Sequence, residues 1–335
     1  MRRWTFVDAM RGTAILLMVI DHAYDWWLDE AGHETALARG TEFLGTLAAP
    51  SFLFLVGLGL AISFWRAVRR GQARSAIAWR MLRRGGVLVL LGYALNLAVF
   101  FVGNNPADMF AVDVLHTIGV SIWFSIPLLW TPGWGAVIAA LVVALVGQVT
   151  AASWTLPTWL AAYVTGTAGI SYFPVILWVP FVYLGFAAGW WMTCLPAQKG
   201  LMGVLAVVGL GLLALTAFVD PAWGYRYPRP ISVLFSACFV LWLMVGLWWW
   251  TEAWGRTGPV LRAVCDMGRA SLALYVLHHL IGYRLFWLFG WVHGRPWRGQ
   301  YGVFRPPWAT AMLVGLVLLM VWFSRLWLAW RDRTS

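Results

Sequence analysis

Charged residues are scarce in this chain of 335 residues. Asp, Glu, Lys and Arg make up 11% of it, and lysine occurs once, at Lys199, whereas about a quarter of a soluble domain is charged. A soluble globule needs charge on its surface, so this composition excludes one. The hydrophobic fraction of 61% excludes intrinsic disorder. Strand-like alternation is missing too, which argues against an outer-membrane barrel.

Cysteine is rare, and sequence motifs for metal binding are lacking. The three cysteines, Cys194, Cys238 and Cys265, show no spacing typical of a metal or redox site. The sequence contains no zinc motif and no glycine-rich phosphate loop. We therefore predict that the protein uses no metal.

Long apolar runs are what the chain has in abundance. A membrane span needs about 20 mostly apolar residues, and about ten segments qualify. They are 11–29, 44–65, 84–103, 111–130, 134–151, 173–193, 200–219, 231–250, 270–291 and 307–329. We predict an all-α polytopic transmembrane helical bundle that forms one integral membrane domain over residues 1–335. The stretch 152–170 is expected to be interfacial or re-entrant.

Arginine sets the predicted orientation. The net charge is +11, and positive residues concentrate in cytoplasmic loops. The loop 66–84 decides the orientation, because it carries Arg66, Arg69, Arg70, Arg74, Arg80, Arg83 and Arg84. We predict that both termini are cytoplasmic. The positive charge then indicates contact with anionic membrane lipids and no nucleic-acid partner. The composition carries no signal for the oligomeric state.

Ionisable side chains follow one face of the first span. They recur at steps of three or four residues, the spacing of one helix face: Asp8, Arg11, Ile15, Met18, His22, Asp25 and Asp29. Ionisable groups in hydrocarbon must be paired or wet, so we expect this face to point into the protein, with Asp8 and Arg11 paired. His22 is a candidate general base, acyl carrier or proton relay, and Asp25 can orient its ring. The alternative is a neutral histidine that bridges two helices.

A second polar pair begins the fourth span. Asp113 and His116 are again three residues apart. The predicted topology puts them at a depth similar to that of His22 and Asp25, so the two pairs can meet across one cavity and assist catalysis or bind the acceptor. The alternative is a structural helix start with Asp113 near its N-terminus.

Two further groups are candidates for binding roles. Ser271, Tyr275 and His278 share a face of the ninth span, and His279 shares one with Tyr275. This group suits either a site or hydrogen bonds between helices. Arg80 and Arg83 lie where the third span begins, so they can face a cytoplasmic vestibule. Their guanidinium groups suit the phosphates of a nucleotide-like cofactor.

Several of these motifs resemble one family of membrane acyltransferases. Asp8, Arg11 and Gly12 form an Asp-x-x-Arg-Gly motif, and His22 follows the aspartate by fourteen residues. This opening is similar to that of bacterial proteins related to the catalytic domain of heparan-α-glucosaminide N-acetyltransferase. Segments 47–57, 113–119 and 274–278 resemble later motifs of that family. Arg80-Met81-Leu82-Arg83 is similar to the Arg-x-x-Arg of type 3 acyltransferases.

The resemblance implies transfer of an acyl group from cytosolic acetyl-CoA, or another acyl-CoA, to a hydroxyl or amine. The acceptor would be a sugar or glycolipid beyond a bacterial inner membrane. Arg80, Arg83 and the adjoining Arg84 would hold the acyl-CoA, whose pantetheine arm would pass Arg11.

The resemblance leaves two candidates for the catalytic histidine. His22 matches the histidine of type 3 acyltransferases. In the lysosomal enzyme that position is asparagine, and the catalytic histidine falls at the position of His33. We favour His22 because it lies in the polar face of the first span. Direct transfer and an acyl-histidine intermediate both stay open.

Two other functions use the same residues. A proton-coupled transporter or exporter of a small polar substrate would employ the carboxylates and histidines as a proton relay. A non-catalytic membrane protein that positions another enzyme would tolerate substitution of Asp8, Arg11 and His22.

Overall fold

The computed structural model of the chain describes residues 4–99, 109–147, 153–166, 171, 173–195, 197–219, 230–283, 292 and 302–334. Within these residues the secondary structure is helical, and the β-type contacts are two isolated bridges, Leu28 with Phe304 and Val112 with Ser171. The all-α prediction is therefore confirmed for the described part of the chain. The helices group into two compact units, residues 1–51 with 243–335 and residues 52–242.

Fourteen α-helices occur in the described residues. In chain order they are α1 (Thr5–Trp27), α2 (Glu30–His33), α3 (Ala36–Gly45), α4 (Ala48–Val68), α5 (Arg74–Val99), α6 (Val114–Phe124), α7 (Gly133–Val142), α8 (Thr158–Val164), α9 (Val175–Cys194), α10 (Gln198–Val219), α11 (Pro230–Trp248), α12 (Pro259–Arg269), α13 (Ser271–His278) and α14 (Pro306–Thr334). A 3-10 helix, Ile126–Trp130, follows α6. Three helices continue into π-helical turns: α7 into Val143–Gly147, α11 into Trp249–Ala253 and α13 into His279–Tyr283.

Six helical segments of the described chain are long and apolar enough to cross a membrane. They are Ala36–Val68, Arg74–Ala98, Val175–Cys194, Gln198–Phe218, Val233–Ala253 and Pro306–Thr334. Shorter apolar helices occupy Val114–Trp130, Gly133–Gly147 and Ser271–Gly282. The predicted spans 84–103, 134–151 and 270–291 end outside the described residues. The total of about ten spans and the cytoplasmic termini remain predictions.

The α1 helix is long enough to span a membrane but too polar to face lipid. Its 23 residues extend about 35 Å at 1.5 Å per residue, more than the hydrocarbon thickness of about 30 Å. It packs against α3, α12, α13 and α14. This packing buries Asp8 and leaves Arg11 and His22 half-buried, whereas Asp25 is exposed, so the inward face that the spacing predicts is found only for part of the helix.

A carboxylate 247 positions further along the chain accepts hydrogen bonds from the first residues of α1. The backbone N–H of Thr5 donates to Oε1 of Glu252 at 2.6 Å, and that of Phe6 donates to the same atom at 3.4 Å. The first N–H groups of a helix have no partner within the helix, and negative charge there also favours the helix dipole. Glu252 therefore fixes where α1 begins.

Two glycines let α1 and α12 touch backbone to backbone. A Cβ atom on Gly12 would lie 1.9 Å from the carbonyl oxygen of Val264, and one on Gly268 would lie 1.9 Å from that of Asp8. Neither distance is sterically possible, so both positions require glycine. This contact explains why the last position of the Asp-x-x-Arg-Gly motif, Gly12, must be glycine.

The second unit is built in the same way. The α5 helix packs on α6, and α9 packs on α6 and α7. A Cβ atom on Gly57 would lie 1.8 Å from the carbonyl oxygen of Val182, and one on Gly185 would lie 1.9 Å from that of Phe54, so α4 and α9 approach through glycine. Buried Asn96 donates to the carbonyl oxygens of Met109 and Ala111 at 3.2 and 2.8 Å, which ties the segment before α6 to α5.

Candidate active site

The polar face of α1 begins inside the first unit. Asp8 is buried, and its Oδ1 lies 3.6 Å from Nη1 of Arg11, so the expected pair forms. Ile15 and Met18, which continue the face, are also buried. The face thus leads from an ion pair, past two apolar residues, to His22.

His22 pairs with a histidine from the other end of the sequence. Its Nδ1 lies 3.1 Å from Nε2 of His278. The Nδ1 of His278 lies 3.2 Å from the carbonyl oxygen of Leu274. A carbonyl oxygen only accepts, so Nδ1 of His278 carries a proton and Nε2 accepts in the neutral ring. The Nδ1 of His22 therefore donates, and Nε2 is the unprotonated nitrogen of His22.

A third imidazole completes this cluster. His279 follows His278 directly, at the residue where α13 changes into its π-helical turn. Its ring centroid lies 4.3 Å from that of His278 and 5.4 Å from that of His22. Both His278 and His279 are buried. We refer to His22, His278 and His279 as the histidine cluster.

Two aromatic rings pack against the histidine cluster. The ring of Trp26 lies 5.0 Å from His22 and 5.5 Å from His279. The ring of Tyr275 lies 4.7 Å from His279 and 5.5 Å from His278. His278 and His279 are buried beside these rings, whereas His22 is half-buried.

The packing of Trp26 depends on a glycine in the π-helical turn. A Cβ atom on Gly282 would lie 2.5 Å from Cζ3 of Trp26. The adjacent Trp27 donates from Nε1 to the carbonyl oxygen of Gly282 at 3.2 Å. These two contacts hold the end of α1 against the turn that carries His279.

Asp25 belongs to a group of carboxylates. Asp25 and Glu42 are the charged neighbours of Asp21. A Cβ atom on Gly45 would lie 2.3 Å from Oδ1 of Asp21, so α3 packs closely against this carboxylate. Asp25 itself is exposed. The group bonded to Nδ1 of His22 is His278, and the orienting role of Asp25 stays a prediction.

The remaining candidate residues of the first unit lie on α13 and α2. Ser271 begins α13 and is half-buried, whereas Tyr275 and His278 of the same helix are buried. His33 ends the four-residue helix α2, which is capped by Asp29, whose Oδ1 accepts from the N–H of Gly32 at 2.8 Å. His33 is not a member of the histidine cluster.

Asp113 and His116 form a capping box at the start of α6, in the second unit. The Asp113 carboxylate accepts from the N–H of Val114 at 2.6 Å, and Nδ1 of His116 accepts from the N–H of Asp113 at 3.2 Å. His116 is fully buried, with the Tyr93 ring 4.3 Å away, and a Cβ atom on Gly92 would lie 2.7 Å from its Cε1. This geometry is that of the structural helix start, and a role in catalysis stays a prediction.

Arg80, Arg83 and Arg84 are exposed side chains of α5. This helix begins at Arg74, so the three arginines lie within it and not in the loop before it. Arg80 donates to Oε1 of Gln72. Their exposure leaves them accessible to an anionic ligand, and the binding of acyl-CoA stays a prediction.

A family model described as heparan-alpha-glucosaminide N-acetyltransferase, catalytic, matches residues 3–223. The chain belongs to this family. No curated protein matches the chain in a sequence search. Membership in an N-acetyltransferase family, together with the long apolar helices, makes the protein an integral membrane protein of the acetyltransferase class.

The family match explains which site residues are easy to find from sequence. It contains His22 and the arginines of α5 and ends before His278 and His279. The adjacent histidines in an apolar stretch are a signal in themselves, but the sequence does not show that both of them approach His22. Trp26 is easily mistaken for an interfacial tryptophan. No local pattern indicates that Glu252 caps α1.

Proposed function

We propose that this member of the N-acetyltransferase family transfers an acyl group, acetyl in the first instance, from acyl-CoA to a sugar-containing acceptor. The acceptor would offer a hydroxyl or an amine on the extracytoplasmic side of the membrane. The observation that carries the proposal is the chain of hydrogen bonds from His22 through His278 to the carbonyl oxygen of Leu274. In this arrangement Nε2 of His22 is unprotonated and can act as a base.

His22 would act as a general base through Nε2. As the acceptor oxygen or nitrogen attacks the thioester carbonyl, Nε2 takes its proton. The new C–O or C–N bond forms, the C–S bond breaks, and the imidazolium returns the proton to the departing CoA thiolate. Because Nδ1–H of His22 donates to His278, the positive charge that develops on His22 is stabilised without a change of tautomer.

An acyl-histidine intermediate would use the same nitrogen. In that route Nε2 attacks the thioester first and CoA leaves as the thiolate. The acceptor oxygen or nitrogen then attacks the acyl carbon, the bond from that carbon to Nε2 breaks, and the acceptor proton passes to the CoA thiolate. Rapid quenching with radiolabelled acetyl-CoA and no acceptor separates the two routes. Label retained on the wild-type protein and missing from His22→Ala would indicate the covalent route.

The acyl-CoA would be held by guanidinium groups. CoA carries several phosphates, and arginine binds phosphate through charge-assisted, bidentate hydrogen bonds. Arg80, Arg83 and Arg84 are exposed on one rigid helix, which supports this role. Arg11, paired with Asp8 on α1, would contact the pantetheine arm.

Saturable binding of acetyl-CoA to the purified protein in detergent tests the proposal before the acceptor is known. Arg83→Ala should raise Kd by about tenfold, since a charge-assisted hydrogen bond contributes about 1.5 kcal/mol or more. The matched control is Arg262→Ala, which removes an exposed arginine from α12 and should leave Kd unchanged.

Two results would contradict the proposal. One is the absence of saturable binding by monodisperse wild-type protein, with longer acyl-CoAs included. The other is flux of a polar solute into proteoliposomes, driven by a pH gradient, without consumption of acyl-CoA. The second result would indicate a transporter.

A further inference from the structure

The histidine cluster joins parts of the chain that are far apart in sequence. His22 lies on α1, and the ring bonded to it belongs to a residue 256 positions later. One ring nitrogen from each of His22, His278 and His279 lies within 4.8 Å of the other two. Three imidazoles that converge in this way are a common ligand set for transition metals.

Two features of the cluster favour a metal over hydrogen bonding alone. The Nε2 atom of His279 is buried and has no hydrogen-bond partner in the described structure. A buried polar atom of this kind calls for a ligand or an ion. In addition, Nδ1 of His278 donates to the carbonyl oxygen of Leu274. Metal-bound histidines usually donate their second ring nitrogen to a carbonyl or carboxylate, which aims the first one at the metal.

We propose that the histidine cluster binds one divalent transition-metal ion of the zinc class. Zn–N bonds of about 2.0–2.1 Å in a tetrahedron separate the nitrogens by about 3.4 Å. The distance of 3.1 Å from Nδ1 of His22 to Nε2 of His278 is already close to this value. Because the three ligand nitrogens all lie within 4.8 Å of one another, small side-chain rotations would bring His279 to the same distance.

The ligand types and the charge of the surroundings fit this class of ion. Imidazole nitrogen suits Zn²⁺, Cu²⁺ and Ni²⁺, whereas Mg²⁺ and Ca²⁺ require oxygen. Three neutral imidazoles leave two positive charges on the ion, and α1 carries Asp21 and Asp25 within one turn of His22. Three protein ligands leave a fourth coordination position for water.

Metal binding has a consequence for catalysis, which rests on the proposed function. If Nδ1 of His22 coordinates the ion, the proton of the neutral ring must lie on Nε2. The nitrogen assigned above as the base is then protonated. Zinc at this site should therefore inhibit acyl transfer, whereas the binding of zinc is independent of any enzymatic activity.

The test measures zinc binding to the full-length protein, purified in detergent without a histidine tag and stripped with a chelator. Competition with a chromophoric zinc chelator should give one tight site per chain, and cobalt substitution should give the strong visible bands of a tetrahedral site. His278→Ala and His279→Gln should each weaken zinc binding by at least about tenfold. The matched control is His33→Ala, which removes a histidine of the same unit outside the cluster and should bind zinc as the wild type does.

Folding is monitored by monodispersity and thermal unfolding in each preparation. Zinc should raise the melting temperature of the wild type and of His33→Ala but not of His279→Gln, because a ligand stabilises only the state that binds it. The proposal is overturned if folded wild-type protein takes up no stoichiometric zinc, or if His278→Ala and His279→Gln both bind as the wild type does. Acetyl-CoA binding, measured on the same samples, reports separately on the acyltransferase proposal.

Discussion

Two histidines with the same kind of sequence neighbour have different partners in the structure. His116 follows Asp113 by three residues and accepts a hydrogen bond from its backbone N–H, within one helix turn. His22 precedes Asp25 by three residues, yet its Nδ1 pairs with His278. The first histidine completes a helix start, and the second is linked to another base. The comparison shows that an Asp/His spacing does not by itself define a catalytic pair.

The position in the helix explains the difference. Asp113 is the N-cap residue of α6, where backbone N–H groups need a partner. His22 lies well inside α1, where the backbone groups already bond to one another. Its ring nitrogen must therefore find a partner on a different element, and α13 supplies it.

The largest loss of activity is expected when His22 is substituted. His22→Ala removes the proposed base, and acyl transfer should fall by about 10²–10⁴-fold, the usual contribution of general acid–base catalysis. Binding of acetyl-CoA should persist, because the arginines of α5 are unchanged. Initial rates and acetyl-CoA Kd on the same preparation measure the two effects.

His33→Ala provides the comparison for that variant. It removes a histidine outside the cluster and should reduce transfer by less than about tenfold. A severe loss in His33→Ala with full transfer in His22→Ala would assign catalysis to His33 and overturn the mechanism.

A smaller effect is expected for His278, which acts on the reaction through His22. His278→Leu removes the acceptor for Nδ1–H of His22, and kcat should fall by about 10–100-fold with KM for acyl-CoA unchanged. His278→Gln offers a side-chain oxygen that can accept the same hydrogen bond, so it should recover part of the rate. Equal rates for the two variants would show that His278 only fills space.

The smallest effect is expected for the capping box. Asp113→Ala should cost about 1 kcal/mol of stability, whereas Asp113→Asn should cost much less because asparagine also caps helices well. Thermal unfolding in detergent compares the two. If Asp113→Asn kept its stability but lost acyl transfer, the carboxylate would belong to the acceptor site after all, and the contrast between the two histidines would fail.

Local features of the site were predictable from the sequence, and distant partners were not. The ion pair of Asp8 with Arg11 and the burial of Asp8 follow from helical spacing and from the cost of charge in hydrocarbon, whereas Asp25 on the same predicted face is exposed. The partner of His22 does not follow, since the sequence offers Asp25 on the same helix. The apolar pattern predicts that the arginines lie at the edge of a span, whereas α5 begins earlier, at Arg74. Arginine has a good helix propensity and does not end a helix.

The sequence by itself determined that this protein is helical and belongs in a membrane, because scarce charge and long apolar runs are properties of composition. It also determined the family, through the motif of α1. Only the tertiary structure decided that Glu252 accepts the first N–H groups of α1, that Gly12 lies against α12, and that three histidines form one cluster. A hydrogen bond or a metal site requires atoms within about 3–5 Å of one another. Helical periodicity says which residues share a face but not which helix lies opposite.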